Sequence, residues 1–255
     1  MRKIFIIGIG AGDPDYMTIQ GIKALNAVDV FFMPDKGADK DGLQNLRRDI
    51  CARFIEKTTY RFAEMRMPER DVRALPDYKD NIDKWRAAVT ASYERFIAEE
   101  LTDSQCGAFL VWGDPAIYDG TMRILDDILA KNAVAFNYEV IPGIGAVQAL
   151  AARHRVPLNR IGESVQITTG RKLEAGWPQD AENLVVMLDG RQAYESVVET
   201  NVEIFWGAYV GTEDEILISG PLADVAEKIT AARETARQKH GWIMDSYLLR
   251  KRGSN

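Results

Sequence analysis

Two glycine-bearing loops hold the residues best suited to chemistry. One is Trp112-Gly113-Asp114-Pro115-Ala116-Ile117-Tyr118-Asp119, and the other is Gly8-Ile9-Gly10-Ala11-Gly12-Asp13-Pro14. Glycine reaches backbone angles closed to other residues and proline fixes one, so such loops present amides and carbonyls rigidly and let a ligand come close. A carboxylate at such a mouth, Asp114 or Asp13, suits a cationic or hydroxyl-bearing ligand; the plainer reading of a lone Asp-Pro is a turn. A third loop, Ile141-Pro142-Gly143-Ile144-Gly145-Ala146, has small residues that leave space above the helix after it, or that serve close helix–sheet packing. Arg153-His154-Arg155, Arg160 and Arg171-Lys172 cluster within twenty residues of an acidic chain. Arginine clusters of this kind suit planar carboxylates through paired hydrogen bonds, or are solvated surface charge.

Several chemistries are disfavoured. A dinucleotide fingerprint needs a third glycine at position 13, where this chain has Asp, an anion that repels a pyrophosphate. No Gly-Lys-Ser/Thr follows, so the Walker pattern fails too. Cys51 and Cys106 lack metal-ligand spacing and only His154 and His240 accompany them; both are expected to be reduced core thiols, and no metal is expected. Net charge is −6 with no Lys/Arg-rich run, which argues against nucleic acid as partner. The apolar run after Met1-Arg2-Lys3 breaks at Gly8, too early for a signal peptide, and no stretch approaches a membrane span. The expected address is the cytoplasm.

These loops must be held by alternating strands and helices. Strand-like Ile4 to Ile9, Val28 to Met33, Tyr60 to Met67, Ala108 to Trp112 and Tyr138 to Ile141 are separated by helical patterns. Those patterns cover Thr18 to Ala27, Leu43 to Phe54, Tyr78 to Leu101 and Thr121 to Lys131, with Val147 to Arg153 following the last strand. Alternation at this spacing predicts parallel βαβ units, whose loops at the carboxyl ends of strands bind ligands. Runs such as Ile4-Phe5-Ile6-Ile7 lack polar alternation, as strands covered on both faces do. Thr18 is the expected N-cap of the first helix. The pattern changes near Arg155-Val156-Pro157-Leu158-Asn159, so domains 1–155 and 156–255 are expected. The second part reads as strands Val165 to Thr169, Leu184 to Leu188, Val202 to Tyr209, Glu215 to Ser219 and Trp242 to Leu249, with helices Gln192 to Thr200 and Leu222 to Gln238. The turn-like Val210-Gly211-Thr212 predicts an antiparallel pair and hence a mixed sheet. Read from residues alone, the site fits a small-molecule enzyme, and leaves open a Rossmann oxidoreductase or a non-enzymatic ligand-binding protein.

Taken together, the motifs resemble the tetrapyrrole methylase family. The marks are Gly8-Ile9-Gly10-Ala11-Gly12-Asp13-Pro14 with Thr18, Gly113-Asp114-Pro115, Ile141-Pro142-Gly143-Ile144, Val185-Val186-Met187-Leu188 and Ala208-Tyr209-Val210-Gly211-Thr212. The resemblance covers nearly the whole chain. It implies an α/β fold of two domains, with a mainly parallel N-terminal sheet, a mixed C-terminal sheet and the cofactor in the interdomain cleft. It implies S-adenosylmethionine as methyl donor, S-adenosylhomocysteine as product, a tetrapyrrole substrate and a homodimer. Within the family, Ala151 to Gly162, Thr168-Thr169-Gly170-Arg171, Met187-Leu188-Asp189-Gly190, Trp206-Gly207-Ala208-Tyr209 and His240 to Asp245 resemble members acting in oxygen-dependent cobalamin synthesis. Among these the likeness is to the kind that methylates precorrin-5 at C-1 with loss of a two-carbon acyl unit as acetate; action at another ring position or on another substrate is the alternative.

Carried over position by position, the resemblance assigns cofactor contacts to Ala11, Gly113, Asp114, Ile117, Gly145, Ala146, Met187, Leu188, Ala208 and Gly211. Many relatives have Pro where this chain has Ala11 and Ser or Thr where it has Gly145, so backbone contacts must serve there. Methyl transfer from a sulfonium needs mainly alignment. Release of the acyl group needs a water and a base, for which Asp114, Asp13, Tyr118 and His154 are candidates in that order. Arg153, His154, Arg155 and Arg171 are expected to hold substrate carboxylates.

Overall fold

In the computed structural model, residues 1–35, 41–68, 78–197 and 201–252 are described. They form two compact units: Met1–Gly10 with Pro14–Gly145, and Ala11–Asp13 with Ala146–Asn255. The boundary therefore falls between Gly145 and Ala146, ahead of the expected break near residue 155. The helix that follows Ala146 packs on strands of the second unit, a tertiary contact that local Pro and Asn signals do not report.

The first unit is a five-stranded parallel sheet. Its strands are β1 (Arg2–Gly8), β2 (Val30–Asp35), β3 (Arg61–Arg66), β4 (Cys106–Val111) and β5 (Phe136–Ile141), in the order β3-β2-β4-β1-β5. The doubly apolar strands have the reason anticipated. In β1, Ile4 and Ile6 join a core with residues of α3 (Tyr78–Glu100) and α4 (Thr121–Lys131). Phe5 and Ile7 join another, with residues of α1 (Ile19–Leu25) and α2 (Asp41–Phe54). Successive side chains of a strand point to opposite faces, so both faces of the sheet are covered. Thr18 caps α1 as expected: its hydroxyl accepts the Gly21 N–H at 2.9 Å.

The second unit begins with α5 (Ala146–His154) and contains β6 (Val165–Thr169), the short α6 (Gly170–Leu173), β7 (Asn183–Met187), β8 (Val202–Ala208), β9 (Ile216–Pro221), α7 (Leu222–His240) and β10 (Asp245–Lys251). Its sheet order is β6-β7-β10-β8-β9. β6 and β7 are parallel, while β7–β10, β10–β8 and β8–β9 are antiparallel, so the sheet is mixed as expected. The last strand lies in the middle of this sheet, and its Tyr247 and Leu249 are fully buried in the core. The expected helix over Gln192 to Thr200 is, in its described part, only a 3-10 turn, Ala193–Ser196. There the Ser196 hydroxyl donates to the Ala193 carbonyl, and Val197 is already extended. Residues 198–200 lie outside the described residues. Among the described residues no helix is long and apolar enough to cross a membrane.

Candidate functional site

At the carboxyl ends of β1, β4 and β5, three loops are locked backbone to backbone. Gly113 N–H donates to the Gly10 carbonyl at 2.8 Å, and Gly10 N–H returns a bond to the Gly113 carbonyl at 3.3 Å. The third loop closes on these two with no room for side chains. A Cβ on Gly8 would lie 2.6 Å from Gly143 N and 2.8 Å from the Gly113 carbonyl oxygen. A Cβ on Gly143 would lie 2.8 Å from Gly8 C and 2.9 Å from Gly8 Cα, and nearer still to the Gly113 carbonyl oxygen. The glycines read from the sequence as room for a ligand thus also serve the interlocking of three strand ends.

Asp114 is the clasp of this assembly. Its Oδ1 accepts the Ala116 N–H at 2.8 Å and its Oδ2 accepts the Gly143 N–H at 2.9 Å, tying the second loop to itself and to the third. Both carboxylate oxygens are therefore engaged by main chain, the task of a loop brace. Tyr118 takes a left-handed backbone (φ 55°) and is 49% exposed. Burial of part of that side chain pushes its phenol above the usual range, so it remains protonated at neutral pH. Ala11 is buried, Asp13 and Ile117 are half-buried.

In the second unit, Met187 ends β7 and Leu188 follows with φ 53° and 66% exposure. Large apolar side chains at seven described positions are exposed, and three of them, Tyr118, Ile144 and Leu188, stand in the loops singled out from the sequence. Apolar residues held toward solvent on stiff turns suit a ligand with an apolar part. Ala208 is fully buried at the end of β8, and the Gly211 N–H donates to Glu215 Oε2 at 2.9 Å.

The basic segment is not held together for one task. Arg153 makes a paired ion bridge to Glu215, with Nε–Oε1 2.8 Å and Nη2–Oε1 2.6 Å. His154 Nε2 lies 3.0 Å from the Trp206 carbonyl and so carries the proton there; burial lowers its pKa, opposed by that bond and by Glu215. Arg155 sits just past α5 with φ 57°, and Arg171 is exposed on α6. Among the described residues no three His, Cys, Asp or Glu side chains are placed to hold a metal ion. A cavity of about 580 Å³ beside α7, lined by Gln192, Arg233 and Arg237 among others, includes none of the expected site residues.

The sequence profile of the Tetrapyrrole (Corrin/Porphyrin) Methylases matches residues 3–226. This chain belongs to that family. Among the tetrapyrrole methylases it is 51% identical over 251 residues to the precorrin-6A synthase [deacetylating] of Sinorhizobium sp., covering 98% of this chain and 96% of the relative. A crystal structure of a cobalamin synthesis related protein (CobF) from Corynebacterium diphtheriae superposes with a TM-score of 0.85 at 35% identity, covering 98% of this chain and 99% of that one. The Thermus thermophilus uroporphyrin-III C-methyltransferase complexed with S-adenosyl homocysteine shares the fold, with a TM-score of 0.59 at 15% identity over 97% of this chain and 91% of that one. The neighbours agree with the α/β architecture of one parallel and one mixed sheet.

What the sequence reading of this tetrapyrrole methylase missed is support structure. Asp189, Glu215 and Arg233 each tie a turn in the second unit, and Asp245 holds the Arg233 and Trp206 side chains. Their partners lie 2 to 62 residues away in the chain, so only the nearest, Arg191 and Ala193 to Asp189 and Gly211 to Glu215, had a local spacing that could be seen.

Proposed function

We propose that this chain is an S-adenosylmethionine-dependent C-methyltransferase that converts precorrin-5 to precorrin-6A, methylating ring carbon C-1 and releasing acetate. The carrying observation is the near-full-length identity to the Sinorhizobium precorrin-6A synthase. The loops support it: their stiff main chain and exposed apolar side chains fit a donor that is recognised largely by backbone and by apolar contact, and need no metal ligand.

When bound, S-adenosylmethionine supplies an electrophilic methyl carbon on a sulfonium sulfur. The protein's part is to bind and orient. Ala11, Gly113, Asp114, Ile117, Gly145, Ala146, Met187, Leu188, Ala208 and Gly211 are the proposed contacts. Fixed geometry of this kind supplies much of a methyl transfer's rate. One water is consumed: its oxygen enters acetate as the carbon–carbon bond from the acyl unit to the ring breaks. Of the four candidate bases, Asp114 braces its loop, Tyr118 stays a phenol and His154 is turned to the Trp206 carbonyl. Asp13, half-buried in the first loop, stays a candidate for activating that water. Arg155 and Arg171 remain the proposed carboxylate partners of the substrate, while Arg153 is committed to Glu215. The reading extends to a homodimer in the cytoplasm, checked by light scattering and cell fractionation.

Incubation of the purified chain with precorrin-5 and S-adenosylmethionine tests the assignment. One S-adenosylhomocysteine and one acetate per macrocycle are expected. Methylated product that retains the acyl unit, or no turnover, contradicts it.

A further inference from the structure

Leu188 poses a question of positioning. It is a non-glycine residue in the left-handed region with its side chain turned to solvent, an arrangement that persists only where its surroundings impose it. The neighbour that imposes it is Asp189, whose side chain turns inward and is 5% exposed. Its Oδ1 accepts the Arg191 N–H at 3.0 Å, and its Oδ2 accepts the Ala193 N–H at 2.7 Å and the Tyr247 hydroxyl at 2.7 Å. The space is shaped for it: a Cβ on Gly170 would lie 2.5 Å from Oδ1 and 2.6 Å from Cγ. The Asp189 carbonyl in turn accepts a bond from Arg233 Nη2.

Arg233 extends the network. Its Nε donates to Asp245 Oδ2 at 2.9 Å, with both side chains nearly inaccessible at 6% and 3%. The same oxygen accepts the Trp206 indole N–H at 2.9 Å. Asp245 stands directly opposite Ala208 in the β8–β10 ladder. A continuous path of buried polar contacts thus runs from the Leu188 turn through Asp189, Arg233 and Asp245 to the end of β8. Burial pushes the Asp245 carboxyl up against the opposing pull of Arg233, and burial and Asp189 hold Tyr247 as a phenol donor. A buried ionic cluster of this sort is a poor route to stability, since well-packed apolar side chains often do as well. Its directional bonds do what apolar packing cannot, which is to fix main chain at set positions.

We infer that Asp189, backed by Arg233 and Asp245, is the positioning residue for the methyl donor in the second unit, holding the Met187–Leu188 turn and the Ala208 strand end in one fixed arrangement. The inference rests on the proposed cofactor reading and goes beyond it by naming residues that touch no ligand.

Asp189→Asn is the test. An amide keeps the shape but sets an NH2 group against a donor, so the turn relaxes. Calorimetry with S-adenosylhomocysteine should give an affinity weakened about tenfold or more, and the KM for S-adenosylmethionine should rise in step, while the KM for precorrin-5 changes less than about twofold. Tyr247→Phe removes one of the three donors and should weaken S-adenosylhomocysteine by about threefold; it decides the matter by the same split if Asp189→Asn does not fold. Unchanged S-adenosylhomocysteine affinity in the folded variant, or equal loss for both ligands, overturns the positioning role. If the unaltered protein binds no S-adenosylhomocysteine, the cofactor reading itself fails and this inference falls with it.

Discussion

Replacing Gly143 by alanine should lower the stability of the first unit by about 3 kcal/mol. The new methyl group would sit 2.8 Å from Gly8 C and 2.9 Å from Gly8 Cα, against 3.4 Å or more for ordinary contact, and nearer still to the Gly113 carbonyl oxygen. All these are backbone atoms, so no side chain can swing away. Overpacking of this kind typically costs about 1–3 kcal/mol. Relief by moving the third loop outward would stretch the 2.9 Å bond from Gly143 N–H to Asp114 Oδ2, and a bond to a charged acceptor is worth about 1.5–3 kcal/mol, here near the lower end because Asp114 is partly exposed. The two costs overlap, since displacement trades one for the other. With a urea slope of about 2 kcal/mol/M, the midpoint should fall by about 1.5 M. Urea titration followed by far-ultraviolet circular dichroism measures it. Gly190→Ala is the control: its Cβ would have nothing within 4 Å, and a shift under about 0.5 kcal/mol is expected. If Gly143→Ala is as stable as that control, the interlocked loops are not the constraint argued above.

Burial raises the Cys51 thiol to about 12, partly offset by Arg48, so its thiolate fraction at pH 8 is about 10⁻⁴ and native-state alkylation should run about a thousandfold slower than for an ordinary thiol. Cys106, raised to about 11 by burial and Asp29, should react first; equal rates for the two in the folded protein would contradict this. His154 titrates below its usual 6.5 because it is buried, so the unfolded chain binds its proton first; stability is full above that value and falls as pH drops through it, with a slope of at most about 1.4 kcal/mol per pH unit. His154→Gln should flatten that part of the curve, measured by denaturation between about pH 5.5 and 7, and an unchanged slope would refute the assignment. Arg153→Ala should cost about 1 kcal/mol or less, because the arginine is half exposed, whereas Glu215→Ala should cost more by also stranding the Gly211 N–H. A larger loss at Arg153 than at Glu215 would reverse that ranking.

Much of the architecture was legible because it follows from local periodicity. The four-residue run Ile4-Phe5-Ile6-Ile7 feeds two cores, one on each face, and only a strand covered on both sides does that. Helices Asp41–Phe54 and Thr121–Lys131 lie close to their expected bounds, and Val210-Gly211-Thr212 does join an antiparallel pair. Misreadings arose where a local pattern competed with a distant partner. Gln192 to Ser196 has helical composition, but Asp189 captures the Arg191 and Ala193 amides and leaves a 3-10 turn. The arginines at 153 and 171 look alike in the sequence, yet one faces Glu215 sixty-two residues on and the other faces solvent.

By itself the sequence determined the two-sheet α/β plan, the three glycine loops at strand ends and the family, because each rests on residue types at short spacing. Tertiary structure alone decided which side chain does what. Asp114 becomes a clasp only when Gly143 is brought to 2.9 Å from it, and Asp189 becomes the support of Leu188 only when Tyr247 and Arg233 arrive from elsewhere in the chain. A carboxylate's role is set by the donors around it, and folding, not sequence distance, chooses those donors.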